Sequence, residues 1–295
     1  MERLHFMNII WADCTLVESE GKFALIDTGE ISKEHKTLPY FEKMGIKEFE
    51  FIFITHFHRD HYQGLFKILD NYKVKKLYMK KYSGVDGDDG SGNKATNEYH
   101  ELTLKDYNDL IQIAKAKGTK VFEVDESTND IAVGKFTFKV FRKANYLNDI
   151  YEDPNSSFYH VKCLSENYTS SALFAKVNGV NVYIGGDLTD AEHKESSIAY
   201  ANTKVIDEIG EEIDIFKVSH HATSGSQTLE TLKKMKPKHC VITNSYYYLE
   251  RWSTLKDILE ANPKCKIFTT EKKYIVYTIH DDGNISYDLK TIDEV

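Results

Sequence analysis

The sequence has little of what marks interdomain linkers, disulfide frameworks or membrane spans. Only 4 of its 295 residues are proline, and no Pro-, Gly- or Ser-rich stretch divides it, so we expect one domain over residues 1–295. No apolar run approaches the roughly 18 residues of a membrane-spanning helix, and the N-terminus lacks the basic-then-apolar pattern of a signal peptide. Four scattered cysteines without a C-x-x-C pair predict reduced thiols: Cys14, Cys163, Cys240 and Cys265. A cytoplasmic protein with no membrane association is therefore expected.

Positive charge is also scarce. The chain has 46 acidic and 38 basic side chains, which gives a formal net charge of −8 at pH 7. A surface of this sign repels polyphosphate at long range and lacks the counterion release that drives non-specific nucleic-acid binding. We therefore expect no avid binding of this kind, whereas hydrolysis of a phosphodiester is not excluded.

Apolar and aromatic side chains, in contrast, are abundant. They make up 41% and 13% of the chain, which excludes disorder. Glu50–Ile54 (EFIFI) is a nearly continuous apolar run, typical of a strand buried on both faces. Strands followed by helices recur in both halves of the sequence, a pattern that favours two sheets packed face to face with helices outside. We predict an α/β fold, a four-layer αββα sandwich with two mixed β-sheets.

Residues 56–61 combine three histidines and an aspartate directly after the buried strand. Burying several imidazoles beside a carboxylate is costly unless a positive charge lies among them, and a divalent metal supplies that charge. His56 and His58, two apart in an extended segment, can point the same way as a pair of nitrogen ligands. Asp60 and His61 follow the strand end and can turn towards a second metal.

Two later strands end on the same kinds of residue. Asn181–Gly186 (NVYIGG) leads to Asp187, and Asp214–Ser219 (DIFKVS) leads to His220 and His221. Loops at the carboxyl ends of strands can converge on one crevice. The loops after both strands can therefore bring these side chains to one crevice.

The H-x-H-x-D-H motif, in this order with the later Asp and His, resembles the metallo-β-lactamase superfamily from about Leu4 to Leu289. The resemblance implies that Asp27-Thr28-Gly29 ties the loops of the site together and that Asp187 bridges two metal ions. It implies zinc as the metal, with manganese or iron as alternatives. The ligand set expected from it is His56, His58, Asp60, His61, Asp187 and His220.

One expected ligand is missing. The family usually has histidine four residues before the serine at Ser171, where this chain has Asn167. An asparagine oxygen is a poor zinc ligand beside imidazole, so the first metal would keep only His56, His58 and Asp187 from the protein. Asn167 is then a candidate ligand or substrate contact, with a simple turn residue as the alternative.

Further residues resemble one branch of the superfamily. Ala12-Asp13-Cys14, Gly185-Gly186-Asp187 and the His-His pair are similar to the metallo-β-lactamase domain of competence-type DNA-uptake proteins, and a related pattern occurs in phosphorylcholine esterases. Where that branch often has Gly-His-Pro, this chain has Glu250-Arg251-Trp252. The membrane channel that accompanies the uptake domain is absent, so transport is not implied.

The expected chemistry is hydrolysis by a hydroxide shared between two ions, with the pKa of the bound water lowered to roughly 7. Asp60, Asp187 and His221 are the candidate catalytic residues. We expect His220 to be the ligand because it directly follows the strand, and His221 to face the substrate; the reverse assignment stays open. Arg251 and Tyr246 are candidates for binding a phosphate, since a guanidinium matches its oxygens.

The predicted function is a metal-dependent hydrolase that acts on a small-molecule or phosphodiester substrate. An ester, thioester or lactone hydrolase on the same site is the first alternative. An iron oxidoreductase is a second, although the diiron members carry glutamate where this chain has His58. A degenerate scaffold that binds metal without turnover is a third alternative, which only Asn167 suggests.

Overall fold

The computed structural model describes residues 1–82, 103–143, 167, 170–190, 200–223 and 225–295. The strands of these residues are β1 (Glu2–Phe6), β2 (Thr15–Ser19), β3 (Lys22–Ile26), β4 (Glu48–Phe49), β5 (Phe51–Phe53), β6 (Lys73–Val74), β7 (Lys76–Lys80), β8 (Lys120–Val124), β9 (Ile131–Val133), β10 (Phe136–Phe141), β11 (Ala172–Val177), β12 (Val180–Ile184), β13 (Ile215–Lys217), β14 (His239–Ile242), β15 (Lys266–Thr269), β16 (Tyr274–Ile279) and β17 (Ile285–Lys290). The helices are α1 (Glu34–Lys43), α2 (Arg59–Tyr62), α3 (Leu65–Asn71), α4 (Leu104–Ala116), α5 (Ala201–Ile209), α6 (Leu229–Met235), α7 (Tyr246–Leu249) and α8 (Ser253–Ala261).

Most strands belong to two large mixed sheets. The first sheet has eight strands in the order β17-β16-β1-β2-β3-β5-β7-β8, and the second has seven in the order β15-β14-β13-β12-β11-β10-β9. Strands β3, β5, β7 and β8 run parallel in the first sheet, and β12 to β15 run parallel in the second. The short strands β4 and β6 form a separate parallel pair. The parallel strands put their carboxyl ends at one edge of each sheet.

The two sheets face each other across a shared apolar core. That core joins residues of the first sheet, such as Phe53 and Tyr277, to residues of the second, such as Ile184 and Val241. A second cluster covers the outer face of the first sheet with α1, α3 and α4, and a third covers the outer face of the second sheet with α5 to α8. The predicted four-layer αββα sandwich is confirmed.

Strand β5 shows why its sequence is continuously apolar. Phe51 and Phe53 point into the core between the sheets, whereas Ile52 points to the helical side. Both faces of the strand are therefore dry, as expected of a central parallel strand. Among the described residues, no helix is long and apolar enough to cross a membrane.

Candidate metal centre

The candidate centre begins where the chain leaves β5. After Phe53 the chain has no regular structure until α2, whose N-cap His58 is extended (φ −69°, ψ 143°). The ring centroids of His56 and His58 are 4.9 Å apart. Helix α2 carries Asp60 and His61 to the same crevice, where the His56 and His61 rings lie 4.1 Å apart. The H-x-H-x-D-H segment thus gathers its four polar side chains at one place.

Ligand-type atoms of the described residues form three groups: two share the Asp187 carboxylate, and the third comprises Asp13, Asp27 and His61. The first position comprises His56, His58 and Asp187, and the second position comprises Asp60, His61, Asp187 and His221; the atoms of each group lie within 4.8 Å of one another. Asp187 Oδ2 is 3.8 Å from His56 Nε2, 3.2 Å from His61 Nε2 and 3.6 Å from His221 Nε2. One carboxylate oxygen therefore faces both positions, as a bridging ligand must.

Asp27 fixes the orientation of His61. Its Oδ2 lies 2.7 Å from His61 Nδ1, which turns Nε2 of the ring towards the second position. The backbone N–H and the hydroxyl of Thr55 each donate to the Asp27 carboxylate at 2.8 Å. A carboxylate behind a ligating histidine fixes its tautomer and raises its basicity. The Asp27-Thr28-Gly29 motif thus acts on the site through His61.

His221 is oriented in the same way from the other sheet. The Thr243 hydroxyl donates to Asp13 Oδ1 at 2.6 Å, so His221 Nδ1 donates to the Thr243 oxygen at 2.8 Å. This leaves His221 Nε2 2.9 Å from Asp60 Oδ2. His221 therefore has both a ligand-type contact and an orienting partner.

His220 does not lie where the sequence suggested. His220 is not among the residues of the first or the second position. Its Nε2 lies 3.2 Å from Asn167 Nδ2, and its Nδ1 lies 2.7 Å from the Thr223 hydroxyl. The physical reason is a left-handed backbone, with φ of 49° at His220 and 50° at His221. This turn aims the second histidine, not the first, at the carboxylates of Asp60 and Asp187.

Close packing of the chain just before Asp187 explains why two glycines precede it. A Cβ on Gly185 would lie 2.1 Å from Ser219 Oγ, and one on Gly186 would lie 2.2 Å from Ser170 Oγ. Gly186 also has a φ of 52°, a left-handed conformation that glycine adopts at little cost. The backbone N–H of Asp187 donates to Ser170 Oγ at 3.0 Å. No side chain fits at either position without a shift of its neighbours.

Lys217 is a residue of the centre that sequence reasoning missed. It is 1% exposed, forms an ion pair with buried Asp13, and lies with its Nζ 3.8 Å from Asp187 Oδ1. Its Nζ also donates to the Gly186 carbonyl at 3.3 Å. The ammonium therefore holds one oxygen of Asp187 and leaves the other to face both positions. The available signal was a lysine inside an otherwise apolar strand.

Carboxylates and histidines shift one another's pKa values strongly here. Burial lowers the pKa of His61, but Asp187, Asp60 and further carboxylates outweigh it and place the pKa well above 6.5. Burial also opposes protonation of His221, yet Asp187 and Asp13 raise its pKa to about 9. His56 behaves oppositely, because burial and the neighbouring His61 hold its pKa well below 6.5. The metal-free centre thus has protonated histidines at the second position and a neutral His56 at the first.

The donor atoms fit a divalent transition metal. His56 Nε2 and His61 Nε2 are buried and have no hydrogen-bond partner among the described residues. Each unsatisfied buried polar atom costs about 1–3 kcal/mol, and a cation would offset that cost. Imidazole nitrogens with carboxylate oxygens are the ligands that zinc and its neighbours prefer in proteins.

The candidate substrate residues do not all lie together. Arg251 is exposed and places its guanidinium carbon 4.0 Å from the ring centroid of Tyr247. Tyr246, 50% exposed, lines a surface cavity of about 240 Å³ with Ile267 and Phe268. Tyr248 is the tyrosine that contacts Trp11, whose ring is 5.9 Å from that of His221. The structure therefore favours Tyr248 over Tyr246 as the tyrosine nearest the centre.

Comparison with known proteins agrees with this geometry. A family model described as the metallo-beta-lactamase superfamily matches residues 12–141, which include the H-x-H-x-D-H segment. ComE operon protein 3 of Bacillus subtilis (strain 168) is 23% identical over 219 residues, covering 73% of this chain and 23% of that protein. The chain thus spans less than a quarter of the curated relative.

Solved structures share the fold. The metallo-beta-lactamase fold protein YhfI from Bacillus subtilis superposes with a TM-score of 0.52 at 10% identity, covering 98% of this chain and 100% of that one. Igni18, a novel metallo hydrolase from Ignicoccus hospitalis KIN4/I, gives a TM-score of 0.50 at 13% identity, covering 97% and 98%. At such identities the likeness concerns the fold.

Proposed function

We propose that this chain is a metal-dependent hydrolase of the metallo-beta-lactamase superfamily that hydrolyses phosphodiesters with two divalent ions, zinc in the first instance. The observation that carries the proposal is the single oxygen of Asp187 that faces both positions. We assign His56, His58 and Asp187 to the first ion, and Asp60, His61, Asp187 and His221 to the second. His220 is set aside as a ligand because of its contacts with Asn167 and Thr223.

When bound, a pair of divalent ions activates water as a nucleophile and neutralises charge on the reacting phosphate. The protein's own residues hold this arrangement in place. Asp27 fixes the tautomer of His61, and Thr243 fixes that of His221. Lys217 directs Asp187 by attracting its other oxygen.

No side-chain nucleophile is needed in this scheme. Cys14 directly follows Asp13, the ion-pair partner of Lys217, in the sequence. Burial, followed by the charges of Asp27 and Asp13, raises the pKa of its thiol well above 9.0. Only a thiolate attacks efficiently, so Cys14 stays protonated and has a packing role in this proposal.

Arg251 supports a phosphodiester over a neutral carbonyl ester. A guanidinium presents a fixed fork of donors that matches two phosphate oxygens, and an exposed Arg251 stacked on Tyr247 is held ready for such a contact. A neutral carbonyl ester has no negative charge for the guanidinium of Arg251 to attract. A cytoplasmic location stays our prediction, with the free thiols of Cys14, Cys240 and Cys265 in its support.

The test is hydrolysis of bis-p-nitrophenyl phosphate by the zinc-loaded protein, compared with p-nitrophenyl acetate and a simple lactone. We expect turnover of the phosphodiester that a chelator abolishes and that added zinc or manganese restores. Turnover of the acetate or the lactone alone would support the ester alternative. No turnover of any substrate with zinc, manganese or iron would contradict the proposal.

A further inference from the structure

Beside the metal centre lies a wall of aromatic rings, formed by Trp11, Tyr248 and Trp252. The Trp11 ring lies 5.1 Å from that of Tyr248 and 5.6 Å from that of Trp252, and the last two stack at 5.8 Å with an interplanar angle of 28°. The rings come from three different elements: the loop after β1, α7 and the N-cap of α8. The wall continues directly from the centre, because Trp11 also packs edge-on against His221.

Trp11 is held in this wall against its backbone preference. Its φ is 52°, a left-handed conformation that is unfavourable for a bulky side chain. The backbone N–H of Trp11 donates to the Thr243 carbonyl at 2.9 Å, and Thr243 also orients His221. Strained residues of this kind concentrate at binding sites. The same segment thus fixes both the wall and a residue of the second position.

On the basis of the proposed phosphodiesterase activity, we propose that this wall binds the base of a small nucleotide phosphodiester. The three rings contact one another directly, and Tyr248 is still 37% exposed, so the wall offers aromatic surface on which a flat group can stack. Base stacking on aromatic side chains tolerates any base, since every base has a π-face.

Charge supports the same occupant. Arg251 lies over Tyr247, the next ring outward, which is 5.2 Å from Tyr248. A guanidinium there repels a quaternary ammonium group and attracts a phosphate. The net charge of −8 disfavours a long polyanion. The combination therefore favours a substrate of one or two nucleotides over a polynucleotide.

The chain carries its own reporter for this subsite. Its only two tryptophans are Trp11 and Trp252, so intrinsic tryptophan fluorescence monitors the wall and the adjoining second position. We propose titrating the zinc-loaded protein with adenosine 5′-monophosphate, ribose 5-phosphate and choline phosphate. None of these is a phosphodiester, so binding is measured without the proposed reaction.

We expect adenosine monophosphate to change the fluorescence saturably and to bind at least about tenfold more tightly than ribose 5-phosphate, or about 1.4 kcal/mol. Tyr248→Leu should remove most of that difference without weakening ribose 5-phosphate. The matched control is Phe122→Leu, which replaces an aromatic residue that is 40% exposed on β8; it should alter neither affinity.

Equal affinity for the two sugar phosphates, tighter binding of choline phosphate, or an unchanged preference in folded Tyr248→Leu would overturn the assignment. Its failure is distinguishable from failure of the proposed function. Base-dependent binding without phosphodiester turnover would contradict the activity alone, whereas turnover without base-dependent binding would contradict the subsite alone.

Discussion

The two positions of the centre differ in the number of ligand-type side chains and in how many of these are oriented by neighbouring residues. At the second position, Asp27 orients His61, Thr243 orients His221, and Lys217 holds the oxygen of Asp187 that faces away. The first position shares Asp187 and adds His56 and His58, with the hydroxyl of Thr55 3.1 Å from His56 Nδ1. The residue that the family would use as its third histidine is Asn167.

This difference implies unequal metal affinities. The second position offers four ligands and the first offers three, and preorganised ligands lose less entropy on binding. An opposing effect comes from protons, because His61 and His221 have raised pKa values and must be deprotonated before they ligate. A proton costs about 1.4 kcal/mol per pH unit below the pKa. The second position should therefore bind more tightly, by a margin that shrinks as the pH falls.

The largest effect should follow from Asp187→Ala, which removes the ligand common to both positions. We expect loss of both metal equivalents and a fall in phosphodiester turnover of more than about a thousandfold, or about 4 kcal/mol. Elemental analysis and the bis-p-nitrophenyl phosphate assay measure these, with circular dichroism as the control for folding. A folded variant that keeps near-wild-type turnover would refute the shared ligand.

Lys217→Met should act on stability as well as on metal binding. It removes the lysine partner of the buried Asp13 carboxylate and leaves His221 and His61 as its remaining cationic neighbours. Breaking a buried ion pair in this way typically costs about 3–5 kcal/mol. We expect a correspondingly lower free energy of unfolding by denaturant titration. Lys217→Met combined with Asp13→Asn, which removes the stranded charge, should recover part of the loss. No recovery in the double variant would show that the ion pair is not the cause.

The pH dependence of the metal-free protein offers a third test. Groups with a raised pKa stabilise the fold fully below their unfolded value of 6.5, and this contribution is lost as the pH rises towards about 9, the value for His221. The lowered pKa values of His56 and His220 make the stability depend on pH only below pH 6.5. From pH 6.5 to 9, thermal unfolding of the metal-free protein should reveal a loss on the order of a few kcal/mol. Constant stability across this window would contradict protonated histidines at the second position.

Asn167→His should have the smallest effect of the four. It places an imidazole beside the first position and should slow release of the weaker zinc equivalent to a chelator by roughly tenfold, about 1.4 kcal/mol. The tighter equivalent serves as the internal control, since Asn167 is not among its ligands. Unchanged release would mean that residue 167 does not border the first position.

The sequence was informative where function depends on local spacing. His56, His58, Asp60 and His61 lie within six residues, and the structure brings them together with Asp187. The four-layer fold also followed from the strand pattern, and the segment with the H-x-H-x-D-H motif lies within the residues that the family model matches. The extent of a single domain over residues 1–295 stays a prediction.

The sequence was uninformative where tertiary geometry decides. Which of His220 and His221 faces the carboxylates depends on three left-handed residues in succession, His220, His221 and Ala222, which no side-chain pattern encodes. Lys217 on β13 meets Asp13 in the loop between β1 and β2, and Trp11 meets Tyr248 from the other end of the chain. Such contacts become visible only once the sheets are packed.

Stepwise zinc titration against a competing chelator, near pH 9 and near pH 6.5, most directly tests whether the two positions differ in metal affinity. Near pH 9 we expect the protein to bind two zinc equivalents of unequal affinity. The tighter equivalent should be lost in His221→Ala and retained in His58→Ala. Near pH 6.5 the difference in affinity between the two equivalents should be smaller. Two equivalents of equal affinity near pH 9, or loss of the tighter one in His58→Ala, would contradict the account.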